Sequence, residues 1–144
     1  MSGAIRPFRD EDLAAVVALW RVSNLTVPHN DPVQDIAFCR RSGHGEVLLG
    51  EEDGTIVASV MVGHDGHRGW VYYVAVEPSR RGAGWGRRIM DAAEAWLRSR
   101  GVRKMEFMIR NSNIAVREFY AHLGYKEEPV AVMSRWLDGT RVRP

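Results

Sequence analysis

Val74-Ala75-Val76-Glu77-Pro78-Ser79-Arg80-Arg81-Gly82-Ala83-Gly84-Trp85-Gly86-Arg87-Arg88-Ile89-Met90 is the stretch on which the fold turns. An apolar β-type run stops at a proline, a basic, glycine-rich turn follows, and a helical pattern begins where the turn ends. Gly82, Gly84 and Gly86 stand at alternate positions and leave the backbone clear of side chains. The N–H groups of such a turn can converge on one anion, and the next helix adds its positive N-terminal end. Arg80, Arg81, Arg87 and Arg88 flank the glycines and suit a ligand with several phosphates. The segment reads as a phosphate cradle that joins a strand to a helix.

Upstream, Ile5 to Phe8 reads as a first strand. Asp10 is placed to cap a helix whose apolar residues Leu13, Val16, Val17 and Trp20 follow the i, i+3, i+4, i+7 rule. Asp31-Pro32-Val33-Gln34 opens a second helix, with a cap, proline at the first helical position and glutamine three residues after the cap; it should run to about Ser42. Glu46 to Glu51 and Thr55 to His64 are strands joined at Asp53-Gly54, Asp65 to Gly69 is a turn, and Trp70 to Val76 is a fourth strand. Downstream, Ile89, Met90, Ala93, Trp96 and Leu97 share one helical face, closed by Gly101. Lys104 to Arg110 is a fifth strand, and Ala115, Val116, Phe119, Tyr120 and Leu123 line a fourth helix closed by Gly124. Val130 to Leu137 is a final strand, with room for a short extra one near Tyr125. The order βααβββαβαβ predicts an α/β fold: a mixed sheet of six to seven strands with about four helices on both faces.

The 144 residues contain no repeat, low-complexity tract or linker, so one domain, 1–144, is expected. A hydrophobic content of 45% and a charged content of 26% are ordinary for a globular protein. Net charge is only +2, although Lys104 and Lys126 are the only lysines among 20 basic residues. These arginines are not interleaved with an aromatic platform, so no nucleic-acid partner is expected. No apolar run approaches the ~18 residues of a membrane span, and Met-Ser-Gly-Ala-Ile-Arg-Pro lacks a signal-peptide core. A cytoplasmic protein with no membrane partner is expected. Cys39 is the single cysteine, which excludes an internal disulfide and a cysteine-based metal cluster; no metal is expected.

Two common phosphate-binding motifs do not fit. No Gly-Lys-Ser or Gly-Lys-Thr follows the glycines, so the turn is not a P-loop. A dinucleotide site needs Gly-x-Gly-x-x-Gly after a first strand and an acidic residue ending the next one. Here the spacing is Gly-x-Gly-x-Gly after a fourth strand, and Glu106 lies inside the strand that follows.

The arrangement resembles the GNAT superfamily of acyl-CoA N-acyltransferases. Arg81-Gly82-Ala83-Gly84-Trp85-Gly86 is similar to that family's glycine loop. Asn113, followed seven residues later by Tyr120 and then by Leu123-Gly124-Tyr125, resembles its second motif. Tyr72-Tyr73-Val74-Ala75-Val76 with Pro78 has the form of its strand before the loop, and the element order matches from end to end. Asn30-Asp31-Pro32, Asp65-Gly66-His67-Arg68-Gly69 and Tyr72-Tyr73 carry a narrower likeness to small bacterial single-domain members of the YpeA type.

The resemblance implies the GNAT fold, splayed between the fourth and fifth strands, with the pantetheine arm of acetyl-CoA lying in the gap like an added strand. It implies that backbone groups of Val74, Ala75 and Val76 meet pantetheine, with the Val74 N–H on the thioester carbonyl. It implies that the backbone from Arg81 through Gly82, Ala83, Gly84, Trp85 and Gly86 to Arg87 holds pyrophosphate, so that side-chain identity at Ala83 and Trp85 matters little. Trp85 itself reads as a packing or surface residue before a ligand. Arg80 and Arg88 read as solvated charges before ligands of a 3′-phosphate. Asn113 matches the family's pantetheine contact and is equally placed to cap the fourth helix. Tyr120 matches the tyrosine that protonates the leaving thiolate, the alternative being a buried core residue.

The base that deprotonates the amine is left open among Glu106, His64, Asp65, His67, Tyr72 and Tyr73, with Tyr73 preferred as a residue that positions water. Met108 stands where some amino-terminal-acetylating relatives carry glutamate, which counts against that substrate class. Cys39 reads as core, since direct transfer needs no nucleophile. The acceptor pocket is expected from the first two helices, the loop Leu25 to Asp31 with His29, and the turn at His67. The resemblance thus implies an N-acetyltransferase acting on a small-molecule or peptide amine, as a monomer or homodimer. The alternative is a non-catalytic acyl-CoA-binding sensor.

Overall fold

A computed structural model describes residues 3–140. In chain order these form β1 (Ala4–Pro7), α1 (Leu13–Val22), α2 (Pro32–Arg41), β2 (Gly45–Glu52), β3 (Thr55–His64), β4 (Gly69–Val76), α3 (Trp85–Arg98), β5 (Met105–Glu106) and α4 (Ile114–His122). They fall into two compact units, the first ending at Phe107 and the second beginning at Met108. The first unit holds the five-stranded sheet in the order β1-β2-β3-β4-β5. Its pairs are antiparallel except β4 with β5, which is parallel, so the sheet is mixed as expected.

Strand alternation sorts the helices of this unit onto two faces. Leu49 pairs with Ser59 and Gly50 with Ala58, so these neighbouring pairs point to opposite sides. On the Leu49 side, Val16, Leu19 and Trp20 of α1 and Ile36 of α2 cluster with Val47, Leu49, Met61 and Ala75. On the Gly50 side lies α3, whose Trp85 ring sits so close to Gly50 that a Cβ there would be 2.5 Å from it. Gly3 faces the same ring, at 2.8 Å by the same measure. A glycine just before β1 and another in β2 therefore make room for one indole, which is 1% exposed.

The first turn of the chain is built differently from the expectation. Asp10–Asp12 is a 3-10 turn, and the residue that organises it is Asp12, not Asp10. Asp12 accepts the Arg9 N–H at 2.8 Å and a fork from Arg6 at 2.8 and 2.9 Å. A buried carboxylate, 7% exposed here, needs that pairing. Asp31 caps α2 as expected, accepting the Val33 N–H at 2.9 Å.

The expectation of six to seven strands is corrected to five. Residues 130–137 form no strand, and Val130, Val132, Met133 and Leu137 are exposed. Apolar alternation fixes which way side chains would point, but a strand also needs a neighbour to satisfy its backbone. Among the described residues no ladder joins 130–137 to another strand. No strand forms near Tyr125 either. The fifth strand, expected over Lys104 to Arg110, shrinks to Met105–Glu106 because its ladder with β4 holds only the pairs Gly69–Met105 and Trp70–Glu106. That early parting is the expected splay.

Arg6 holds the Asp12 carboxyl below the usual carboxylate range against the opposing pull of burial, with help from the Arg9 N–H. Asp12→Asn is therefore expected to cost about 3 kcal/mol in urea unfolding near neutral pH. A lowered folded-state value makes this stabilisation complete above the unfolded carboxyl's value of about 4 and removes it as pH falls further. Unfolding curves of the two proteins should thus converge only below about pH 4.

Candidate functional site

Between the registered pairs Met61–Tyr72 and Ser59–Ala75, β3 contributes Val60 alone while β4 contributes Tyr73 and Val74. That extra residue is a β-bulge, and it changes which backbone groups face outward. Before it, the Gly69 N–H donates to Lys104 O at 2.9 Å, on the β5 side. After it, the Glu77 N–H donates to Val57 O at 2.7 Å, on the β3 side. Antiparallel ladders alternate inward and outward residues, so Ala75 shares the orientation of Glu77. Val74 and Val76 then turn their N–H and C=O groups away from β3. They do so past Trp70, where the β4–β5 ladder ends.

The bulge places Tyr73 at φ +53°, in the left-handed region that a side chain adopts at a cost of ~1–2 kcal/mol. Three contacts hold it there. Its ring stacks on Trp20, with centroids 3.8 Å apart and planes 7° from parallel. Its hydroxyl donates to Asp35 Oδ2 at 2.6 Å, and its carbonyl accepts from Ser59 Oγ at 2.9 Å. Burial first, then the Asp35 carboxylate, push the Tyr73 hydroxyl far above its ordinary value.

The strand runs directly into the glycine turn. Gly82 and Gly84 have φ +82° and +88°, and a Cβ on Gly82 would meet nothing within 4 Å. Gly84 caps α3, whose first intrahelical bond is Arg88 N–H to Gly84 O at 3.1 Å. Helix geometry leaves the N–H groups of Trp85, Gly86 and Arg87 without an intrahelical acceptor, at the positive end of a 14-residue helix. Arg81, Ala83 and Arg87 are exposed around them.

Glu52 braces this turn from both sides. It pairs with Arg80 ahead of the glycines and accepts the Trp85 indole N–H at 3.2 Å behind them. The expectation that side-chain identity at 85 matters little is therefore corrected: Trp85 is a buried anchor, while Ala83 is exposed. Arg80 and Arg88 are not simply solvated either. Arg88 donates to Gly3 O at 2.9 Å and lies over the Trp85 ring, 4.2 Å from its centroid.

In the second unit, Asn113 caps α4, accepting the Val116 N–H at 3.3 Å. Tyr120 is the buried residue of that helix and meets Phe119 and Tyr125 edge to face. Burial pushes its hydroxyl up to about 12. Tyr120 O also accepts the Tyr125 N–H at 3.1 Å, so the tyrosine closes the helix end.

The remaining candidates are largely engaged in structure. Asp65 accepts N–H groups of His67 and Arg68 at 2.9 and 2.8 Å and the Trp70 indole at 3.2 Å. Those backbone donors hold its carboxyl below the usual range. His64 Nδ1 accepts the Gly66 N–H at 3.2 Å, and Glu106 pairs with Arg68 at 3.5 Å. Tyr72 is exposed on β4. Cys39 is half-buried against Gly45, and burial pushes its thiol up to about 11, so it is no nucleophile. Asp35, Ser59 and Glu52 escaped the sequence reading, and Trp20 enters it only as part of the apolar face of the first helix. Ser59 alone carried a signal, a lone polar residue inside the run Val57-Ala58-Ser59-Val60-Met61-Val62.

Residues 13–125 match the profile of the acetyltransferase (GNAT) family. The chain is 38% identical over 135 residues to an acetyltransferase of Yersinia pestis, covering 92% of this chain and 94% of that one. It is 42% identical over 124 residues to an acetyltransferase of Pectobacterium atrosepticum, covering 85% and 86%. Among solved structures, an aminoglycoside N-acetyltransferase, AAC(6')-Iy, bound to a bisubstrate analogue superposes with TM-score 0.81 at 18% identity, covering 94% of this chain and 99% of that one. Glucosamine-6-phosphate N-acetyltransferase from Arabidopsis thaliana gives 0.74 at 20% identity, covering 96% and 100%. No helix among the described residues is long and apolar enough to cross a membrane.

The Glu52 brace has a direct physical consequence. Glu52→Ala should speed amide hydrogen exchange in the peptide covering 80–88 by about tenfold, equivalent to ~1.4 kcal/mol of local opening. Exchange in β1 and β2 should change much less. Equal protection of the 80–88 amides in both proteins would remove Glu52 from the loop's support.

Proposed function

This chain belongs to the GNAT acetyltransferase family, and from that premise we propose how its residues carry out the reaction. It is an N-acetyltransferase that passes the acetyl group of acetyl-CoA directly to an amine. The observation that carries the assignment of its parts is the continuity of one segment. Outward-facing backbone on β4 leads without a break into a glycine turn at the N-terminus of α3.

The glycine turn fits a pyrophosphate, because the space a Cβ would fill at Gly82 is open and the helix start presents N–H groups. Arg81, Gly82, Ala83, Gly84, Trp85, Gly86 and Arg87 hold it through their backbone, and the side chains of Arg81 and Arg87 add positive charge. Acetyl-CoA supplies the activated thioester. Val74 and Val76 pair with the pantetheine amides as a neighbouring strand would, while Ala75 faces the core and keeps that edge in register. The Val74 N–H donates to the thioester oxygen as charge develops there, a contribution of ~3 kcal/mol to the transition state.

Tyr120 donates to the departing sulfur, and with a value of about 12 it stays neutral and able to donate throughout the working pH range. Asn113 joins its capping role to a contact with pantetheine. Tyr73 donates its own proton to Asp35 and so keeps a phenolic lone pair that positions a water beside the amine, and that water relays the amine's proton to bulk solvent. The acceptor is a small-molecule or peptide amine that meets the α1–α2 side and the turn at His67. The named structural neighbours act on aminoglycosides and on an amino-sugar phosphate, which supports the first class. The proposal takes 1–144 as one catalytic domain, supported by a family profile that runs through both units, working in the cytoplasm as a monomer or homodimer.

The test is to mix the protein with acetyl-CoA and a panel of amines and to follow release of free thiol. Tight acetyl-CoA binding with no thiol release from any amine would favour a sensor instead. Gly84→Glu is expected to abolish acetyl-CoA binding in calorimetry, since it puts a side chain and a negative charge at φ +88° in the cradle. Tyr120→Phe should lower kcat by about 10- to 100-fold and leave KM for acetyl-CoA within about twofold. An unchanged kcat would reassign Tyr120 to packing.

A further inference from the structure

Trp20 and Ser59 lie on different elements, 39 residues apart, and both are completely buried. The Trp20 indole N–H donates to Ser59 Oγ at 2.8 Å, and Ser59 Oγ lies 2.9 Å from the carbonyl oxygen of Tyr73. An indole nitrogen can only donate, so the hydroxyl must accept from it and send its own single proton onward. The onward partner is the Tyr73 carbonyl. The direction of this chain is therefore fixed by chemistry at its first member.

Tyr73 O belongs to the same planar peptide group as the Val74 N–H, and in a trans peptide the two point in opposite directions. A proton placed on that oxygen from the β3 side therefore sets the plane so that the Val74 N–H points outward. It also draws electron density towards the oxygen, which makes the N–H at the other end a stronger donor, by ~10–30% per bond in such chains. We propose that Ser59, oriented by Trp20, is a positioning residue for the reaction: through the Tyr73–Val74 peptide it aims and polarises the Val74 N–H towards the thioester oxygen. This rests on the assignment of that N–H as the thioester's donor. The bulge makes it necessary, because a peptide beside a left-handed residue has no regular ladder to hold its plane.

The test reads the carbonyl itself and needs no knowledge of the acceptor. Acetyl-CoA labelled with carbon-13 at the acetyl carbonyl is bound to the protein, and isotope-edited infrared spectra are recorded. Wild type should shift the thioester band to lower frequency on binding. Ser59→Ala should bind acetyl-CoA within about twofold in calorimetry and lose most of that shift, and Ser59→Thr, which keeps the hydroxyl, should restore it. With any amine that releases thiol, Ser59→Ala should lower kcat about tenfold and leave KM for acetyl-CoA within about twofold, short of the 10²–10³ expected for losing the donor outright. Ile89→Ala, a core truncation on α3, should destabilise the protein without moving the band. If Ser59→Ala does not fold, Ser59→Cys keeps the shape with a weak donor and should show partial loss.

A band at the wild-type position in Ser59→Ala, or in Ser59→Cys where Ser59→Ala does not fold, would overturn the positioning role while leaving the acetyl-CoA assignment intact. Wild-type protein that binds acetyl-CoA without any shift would overturn the Val74 donor and this role with it. Failure of the wild type to bind acetyl-CoA would instead overturn the proposed function.

Discussion

Tyr73 sits in left-handed backbone because β4 carries one residue more than β3 between two registered pairs, and the outward direction of Val74 and Val76 follows from that insertion. Without the extra residue, the alternation that begins at Gly69 would turn both towards β3 and spend their N–H groups on the ladder. With it, the strand switches phase in its middle. The first half of β4 still pairs with β5, and the second half offers a strand edge. An exposed edge is ordinarily a hazard for aggregation. Here it is short, starts at a bulge and ends at Val76, just before Pro78, which limits pairing with another chain.

The strain at Tyr73 is held by two helices as well as by Ser59 of β3. Stacking on Trp20 comes from α1 and the hydroxyl bond to Asp35 from α2, so the two helices on one face together fix a backbone conformation in the sheet beneath them. The glycine turn is held the same way from the other face. Trp85 enters between Gly3 and Gly50, and Glu52 ties the indole and Arg80 together across the turn. The proposed donor-side machinery, made of backbone, thus depends on side chains that never need to touch the ligand.

This division explains what could be read from the sequence. Helices α1 and α3 follow from apolar spacing, α2 from its Asp31 cap, and the β2–β3 hairpin from Asp53-Gly54, because those signals are local. The glycine turn was legible for the same reason: alternate glycines before a helix start have few other uses. The bulge was not legible, since its register is set by pairing between Met61–Tyr72 and Ser59–Ala75, which no local pattern records. Asp12, not Asp10, is the first organiser because Arg6, six residues upstream in β1, decides which carboxylate is buried. The apolar alternation of 130–137 misled because it specifies faces without specifying a partner.

The proposed backbone site asks of the chain only a residue that tolerates the bulge, glycines where φ is positive, and a helix start behind them. A superposition with TM-score 0.81 at 18% identity is what such loose demands allow. The supports are freer than the machinery they hold, since another residue pair could aim the same peptide. Ser59 with Trp20 is this chain's solution: a donor-only ring and a one-proton hydroxyl, placed where the strand's own ladder lets go.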